Sequence, residues 1–138
     1  MKQFLEKIEI QTNGKSLIDI TKIISGLIFK SELQKGLINL SILHTSASLI
    51  IQENADKSVQ KDILDFFEIL VPENAKYSHI SEGLDDMPAH LKTILTQTNL
   101  TLSIINKKLI IGDWQGIFLF EHRYSDKIRF IQAHMFGE

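Results

Sequence analysis

The chain has 138 residues, of which 43% are hydrophobic and 23% charged, the balance of a folded globular domain and not of a disordered segment. A formal net charge of −2 excludes a broad basic footprint for nucleic acid. No cysteine is present, which excludes disulfides, thiolate metal sites and a cysteine nucleophile.

Residues 1–138 are expected to form a single domain, because the prolines and most glycines are isolated and no stretch has linker or repeat composition. The N-terminal "MKQFLEKIEI" carries Glu6 and Glu9 and is not a signal peptide. No apolar run approaches the roughly 18 residues that span a bilayer. The expectations are therefore a cytoplasmic protein with no membrane and no nucleic-acid partner.

Lys2–Gln11 alternates loosely and predicts a first strand, with Asn13-Gly14 as the turn behind it. Asp19–Ser31 predicts a helix capped by Asp19, with Ile20, Ile23, Ile24 and Leu27 on one face. Gly36–Thr45 predicts a strand in which Ile38, Leu40, Ile42 and His44 share a face, so that His44 ends an apolar row. Lys57–Leu70 is the clearest helix: Val59, Ile63, Phe66, Phe67 and Leu70 recur at helical spacing, Asp56 precedes it as N-cap and Pro72 follows it. Pro88–Gln97 predicts a shorter helix, since proline in a first turn forfeits no hydrogen bond. From Leu100 onward "LTLSIIN", "KLIIG", "GIFLFEH" and "KIRFIQAHMF" predict strands, with hairpin turns at Asn106-Lys107-Lys108 and Tyr124-Ser125-Asp126. Two or three helices among five to seven mostly antiparallel strands make an α+β domain.

Chemistry-bearing residues gather at the ends of these elements. In "HTSASLIIQENAD" His44, Thr45 and Ser46 follow a strand, and Asn54 and Asp56 stand before a helix that Asp56 alone suffices to cap. "YSHISEGLDDMPAHLK" is the densest polar stretch and sets His79, Glu82, Asp85, Asp86 and His90 around a glycine loop and a helix start, where the macrodipole favours anions. "GDWQGIFLFEHR" places Trp114, read as packing, beside Gln115. It aligns Phe118, Phe120 and His122 on one face that ends in an exposed tip. No H-x-x-x-H or H-E-x-x-H spacing occurs, so any metal site must be assembled by the fold.

Taken together, these segments resemble the YjbQ family. The carrying stretches are "HTSASLIIQENAD", "LVPENAKYSHISEGLDDMPAHLK", "LSIINKKLIIGDWQGIFLFEHR" and the terminal "GE", with "NGKSLIDIT" a weaker match. The resemblance implies an α+β homotrimer with a polar cleft near subunit boundaries and a weak thiamine-phosphate synthase activity. That reaction joins a hydroxymethylpyrimidine diphosphate to a thiazole phosphate and releases diphosphate. The implied site comprises His44, Thr45, Ser46, Asn54, Asp56, His79, Asp86, His90, Gln115, Glu121 and His122. Asp113 departs from the family pattern, in which Thr is common before Trp-Gln, and Leu84 and Gln52 depart similarly from Pro and Asn.

Three mechanisms follow. A transferase would use Mg²⁺, arriving with its diphosphate substrate and held by Asp56 or Asp86, with His44, His90, Thr45 and Ser46 as donors and His122 or His79 exchanging protons. A metal-dependent hydrolase would hold Zn²⁺ on His79, His90 and His122. A non-catalytic module would bind a small phosphorylated metabolite in the same cleft. No organic cofactor is expected, and His134 is assigned a structural role.

Overall fold

A computed structural model describes residues 1–138 as one α+β domain of eight strands and three helices. The strands are β1 (Lys2–Thr12), β2 (Ser16–Asp19), β3 (Lys35–Ile42), β4 (Ala47–Glu53), β5 (Asn99–Ile105), β6 (Lys108–Leu109), β7 (Gln115–Glu121) and β8 (Lys127–Gly137). The helices are α1 (Thr21–Ser31), α2 (Lys57–Leu70) and α3 (Asp86–Leu95). They form a five-stranded sheet in the order β1-β8-β3-β5-β6 and a three-stranded sheet in the order β2-β7-β4, with every pairing antiparallel. No helix is long and apolar enough to cross a membrane.

Alternation along the strands builds the core between the sheets. Ile8 and Ile10 of β1, Ile131, Ala133 and Met135 of β8, and Ile38, Leu40 and Ile42 of β3 point inward from the larger sheet. Ala47 and Leu49 of β4 and Ile117 and Leu119 of β7 meet them from the smaller one. Helix α1 closes this core with Ile24 and Ile28; of the expected face Ile20 and Ile24 are buried and Leu27 packs against the core, Ile28 joins them, and only Ile23 turns outward. The helix starts at Thr21, and Asp19 serves it from the end of β2 by accepting from the Thr21 N–H at 2.9 Å.

The outer face of the small sheet is covered by α2 and α3; Phe67 of α2 meets Phe120 of β7 edge-on at 5.3 Å. Asp56 caps α2 by accepting from the Ser58 N–H at 2.8 Å. Yet α2 buries no residue completely, and Phe66 and Leu70, expected on its packed face, are half exposed or more, as is Ile69.

One of the two expected hairpins forms and the other does not. The Asn106–Lys107 turn is a two-residue hairpin between β5 and β6, with positive φ at both residues as a type I′ turn requires. Tyr124–Asp126 is not a hairpin: β7 lies in the small sheet and β8 in the large one, so the chain crosses between layers there. The strand β4 is an addition to the expected elements. Ala47, Ser48 and Leu49 are all buried, and a strand covered on both faces shows no alternation.

At one end of the core the inward rows finish in polar residues. Glu121 of β7 is fully buried and accepts from Arg129 Nε and Nη2 of β8, both at 2.6 Å, and from Thr12 Oγ1 of β1 at 2.8 Å. This two-pronged pair ties one sheet to the other. Replacing either Glu121 or Arg129 by Ala is expected to cost about 3–5 kcal/mol, because the remaining charge stays buried without its partner. The double variant Glu121→Leu with Arg129→Met is expected to cost clearly less than the two single losses added. Urea unfolding of all three measures this, and additive losses would show that the pair is not the joint.

Candidate functional site

The candidate residues occupy two separate poles of the small sheet. At the first pole, where Ala47 pairs with Glu121, the loop before α3 brings His79 against Asp86 and His90 of the helix itself, with one ligand atom from each lying within 4.8 Å of the others. His79 Nε2 lies 2.6 Å from Asp86 Oδ2, and His90 Nε2 lies 3.2 Å from the same oxygen. His90 Nδ1 stands 2.9 Å from the Thr45 carbonyl oxygen, to which it can only donate. In the neutral ring this leaves the Nε2 lone pair facing a carboxylate oxygen, an arrangement that a cation between them relieves.

The surroundings hold this geometry. The other Asp86 oxygen accepts from Arg123 Nη1, while Arg123 Nε donates to Asp85 Oδ2 at 2.9 Å and Nη2 to the Glu82 carbonyl at 2.8 Å. Asp85 also accepts from the Tyr124 N–H, so its carboxylate is engaged by the Arg123 segment and does not cap α3. Burial would raise Asp86, but hydrogen bonding from His79 and the Arg123 charge outweigh it and hold the carboxyl below its ordinary range. The hydrogen bond to Asp86, with the charges of Asp86 and Glu82, raises His79.

Beside these ligand types lies a groove of about 350 Å³ lined by His44, Thr45, His90, Thr93, Ile94 and Thr98. His44 Nε2 accepts the Phe130 N–H at 2.7 Å, and burial followed by the Arg129 charge lowers its pKa. The neutral ring therefore carries its proton on Nδ1 and has a donor to offer. Ser46 does not face the groove freely: its hydroxyl and carbonyl oxygens both accept from Arg129 Nη2. Glu121 is likewise committed to Arg129 inside the core.

His122 is not part of the His79–Asp86–His90 cluster, and the His79–His90–His122 metal set is corrected accordingly. Nor is it an exposed tip, being 1% exposed, because the outer face of β7 is roofed by α2 and α3. Its Nε2 meets Ser48 Oγ at 2.9 Å, Thr96 Oγ1 donates to Ser48 Oγ or to the Lys92 carbonyl, and Nδ1 has no partner. The arrangement that satisfies every donor puts the His122 proton on Nε2 and leaves a bare lone pair on Nδ1. Nearby, Lys92 is buried and donates to Glu68 at 2.6 Å, and Lys15 donates to Glu68 and Glu73. Burial, then the charges of Lys92, Arg129 and Lys15, push His122 down to about 3.

Asn54, Asp56 and Gln115 lie at the opposite pole, where Glu53 pairs with Gln115. Six residues of extended strand separate the poles, roughly 20 Å. Asn54 Nδ2 donates to the Gln115 carbonyl at 3.3 Å, and Gln115 Oε1 accepts from the Gly112 N–H at 2.6 Å. Asp56 spends a carboxylate oxygen on capping α2. Trp114, read as packing, is 68% exposed here. The structure therefore does not gather all the candidate residues in one cleft of one chain.

Sequence reasoning passed over Arg129, Arg123, Ser48 and Lys92. Arg129 had a signal: it occupies an inward position in the row Ile131, Ala133, Met135, and Glu121 does so in the row Ile117, Leu119. Opposite charges at inward positions call for each other. Lys92 had no such signal, because its burial depends on where α2 lands.

Comparison with known proteins places the chain in context. Residues 6–138 match the family model described as UPF0047 protein YjbQ-like. A UPF0047 protein of Synechocystis sp. is 46% identical over 99% of this chain and 94% of its own length. The UPF0047 protein YjbQ of Salmonella typhimurium is 43% identical, covering 87% and 85% respectively. Among solved structures, a YjbQ/UPF0047 family protein from Clostridium acetobutylicum superposes with a TM-score of 0.88 at 29% identity, over 95% of this chain and 99% of that one. A protein of unknown function from Sulfolobus solfataricus shares the fold, with a TM-score of 0.88 at 22% identity over 99% of this chain and 100% of that one.

The burial of His122 has a measurable consequence. An unfolded histidine takes its proton near pH 6.5, whereas the folded one takes it near 3. Between these values the unfolded state binds more protons, so stability falls on acidification by up to about 1.4 kcal/mol per pH unit from this group. His44 contributes with the same sign. Urea midpoints measured between about pH 4.5 and 6 should fall less steeply in His122→Gln than in the unaltered protein. Parallel slopes would show that His122 is not held neutral.

Proposed function

The chain belongs to the UPF0047 family of YjbQ-like proteins, and from that membership and the first pole we propose that His79, Asp86 and His90 hold a divalent cation at which a small phosphorylated molecule reacts. The observation that carries this reading is the convergence of two imidazoles and one carboxylate. The His90 tautomer is set by the Thr45 carbonyl and its lone pair is turned inward. Three protein ligands with a remaining open position are the form of a catalytic zinc site and not of a closed structural one. The Arg123–Asp86 contact and the His90–Thr45 bond are the outer partners that such ligands require for orientation.

A cation in this position supplies charge stabilisation to a phosphate or diphosphate group. His44, protonated on Nδ1, and the exposed hydroxyl of Thr45 supply donors along the groove beside it. In its finer form the proposal is a thiamine-phosphate-synthase-like transfer. The bond from the pyrimidine methylene carbon to the diphosphate oxygen breaks, the bonding pair leaves with diphosphate, and the thiazole nitrogen bonds to the methylene carbon. The reaction needs neither an oxidant nor a base for this step. Family membership also brings a homotrimer into the proposal, and the uncovered apolar ridge of α2 supports it.

The test is elemental analysis of untagged protein after reconstitution with Zn²⁺ or Mn²⁺, followed by assays with the two phosphorylated partners together and singly. About one ion per chain is expected, with affinity reduced at least about tenfold in His90→Ala. Diphosphate release only when both partners are present supports the transferase. Phosphate release from a single ester would replace transfer by hydrolysis, and tight binding without turnover would leave a metabolite-binding module. Equal metal content in the His90→Ala and unaltered proteins would overturn the cation site itself.

A further inference from the structure

We propose that the groove beside the cation cluster selects the body of the phosphorylated ligand, and that Ile94 and Thr98 set this selection in favour of an uncharged, hydroxyl-bearing body no larger than one ring or a short polyol. The selection rests on the cation reading above, since the phosphate of such a ligand is held at the ion carried by His79, Asp86 and His90.

Both walls of the groove stand ready before a ligand arrives. His90, Thr93 and Ile94 follow one another on α3 at spacings of three and four residues and so share one helical stripe. The stripe that presents a cation ligand therefore continues as the groove wall. Thr98 extends it past the helix end and is fixed through the main chain: the Ile42 N–H donates to its carbonyl at 2.9 Å, and Gln97 and Leu49 bond each other at 2.7 and 3.2 Å. His44 and Thr45 form the opposite wall. That wall is held by the Leu43 N–H on the Phe130 carbonyl at 3.0 Å and the Phe130 N–H on His44 at 2.7 Å. Walls anchored in this way position their side chains with little ordering cost on binding.

The chemistry of the walls is neutral. None of the six lining residues is a Lys, Arg, Asp or Glu. His44 presents its Nδ1–H as a donor, and the exposed Thr45 and Thr98 present hydroxyls. Thr93 spends its donor on the Ala89 carbonyl at 2.9 Å, so that towards the groove it can only accept. Arg129, whose charge reaches His44, is committed to Glu121 and Ser46. A carboxylate or a second phosphate on the ligand body meets no cation here and gives up part of its hydration. Hydroxyl groups instead exchange water for His44 and the two threonines. Ile94, 75% exposed at the lip, covers the carbon skeleton. The volume of about 350 Å³ lies at the small end of ligand clefts, roughly 300–1,000 Å³, which suits a single ring or a short polyol and not a whole nucleotide.

The two ends of the groove also differ in origin. His44, Thr45 and His90 belong to the stretches that carry the family resemblance, whereas Thr93, Ile94 and Thr98 fall between residues 70–92 and 102–123. The reacting end is thus built from the shared stretches and the selecting wall from residues outside them.

Calorimetric titration of zinc-loaded protein tests the selection with three probes that share a phosphate. Methyl phosphate has almost no body, glycerol 1-phosphate has a hydroxylated and uncharged one, and 3-phosphoglycerate replaces the terminal hydroxymethyl group of the latter by a carboxylate. Glycerol 1-phosphate is expected to bind about tenfold more tightly than either of the others. Thr98→Val keeps the shape of the side chain and removes its hydroxyl. It is expected to erase most of that advantage, with methyl phosphate binding and zinc content as before. Ile94→Lys is expected to move the preference about tenfold towards 3-phosphoglycerate, because the new ammonium group pairs with the carboxylate. Both positions are exposed, so neither change disturbs the core. Equal affinity for the three probes, tighter binding of 3-phosphoglycerate by the unaltered protein, or unchanged preferences in both variants would overturn the selection and leave the cation site standing. A protein that takes up no zinc would overturn the cation reading and the selection with it.

Discussion

The buried pair of Glu121 and Arg129 is the constraint on which the first pole depends. Desolvating a carboxylate and a guanidinium is costly, and here the cost is offset by two-pronged contact and by further donors to the same carboxylate. The position of this pair matters as much as its energy. Arg129 extends its Nη2 to the oxygens of Ser46, and the neighbouring Thr45 carbonyl receives His90. On the other side Glu121 Oε1 accepts the Arg123 N–H, and the Arg123 side chain fixes Asp86. One carboxylate thus positions a histidine by one route and its carboxylate partner by another. Neither Glu121 nor Ser46, both expected to act chemically, has to touch a ligand to explain its place in the sequence.

The same layer separates two kinds of histidine. His79 and His90 sit at an open edge beside carboxylates, and the Asp86 hydrogen bond raises the pKa of His79. His122 sits only one residue before Arg123, yet it is roofed by helices and flanked by Lys92, whose own burial lowers its pKa. Lys15 and Lys92 pair with Glu68, and Lys15 with Glu73 as well, yet the charges of Lys92, Arg129 and Lys15 still oppose a proton on the buried imidazole. A neutral ring tied to Ser48 is the form this environment supports, and it makes His122 a packing and registering element.

Much of this was legible in the residues, and the omissions have physical causes. The helix 57–70, its Asp56 cap and the Asn106–Lys107 turn rest on local rules and formed as expected. The polar loop from His79 to His90 is short enough for its members to meet, and they do. What failed was whatever depends on layers. Alternation says that Phe118, Phe120 and His122 share a face, but not that two helices cover it. Turn residues at Tyr124–Asp126 say that the chain bends, but not that it leaves its sheet. The motif "HTSASLIIQENAD" looks like one site because it is one stretch, although its middle is strand β4 and its ends are held apart by that strand's length.

That separation also locates the effect of Asp113. Its carboxylate lies in the loop preceding Gln115, at the pole of Asn54 and Gln115 and not at the histidines. Roughly 20 Å of strand lies between the two, about two Debye lengths at physiological ionic strength, so a negative charge there leaves the potential at His79, Asp86 and His90 largely unaffected. Asp113 therefore bears on the chemistry of its own pole and not on the geometry of the His79, Asp86 and His90 cluster.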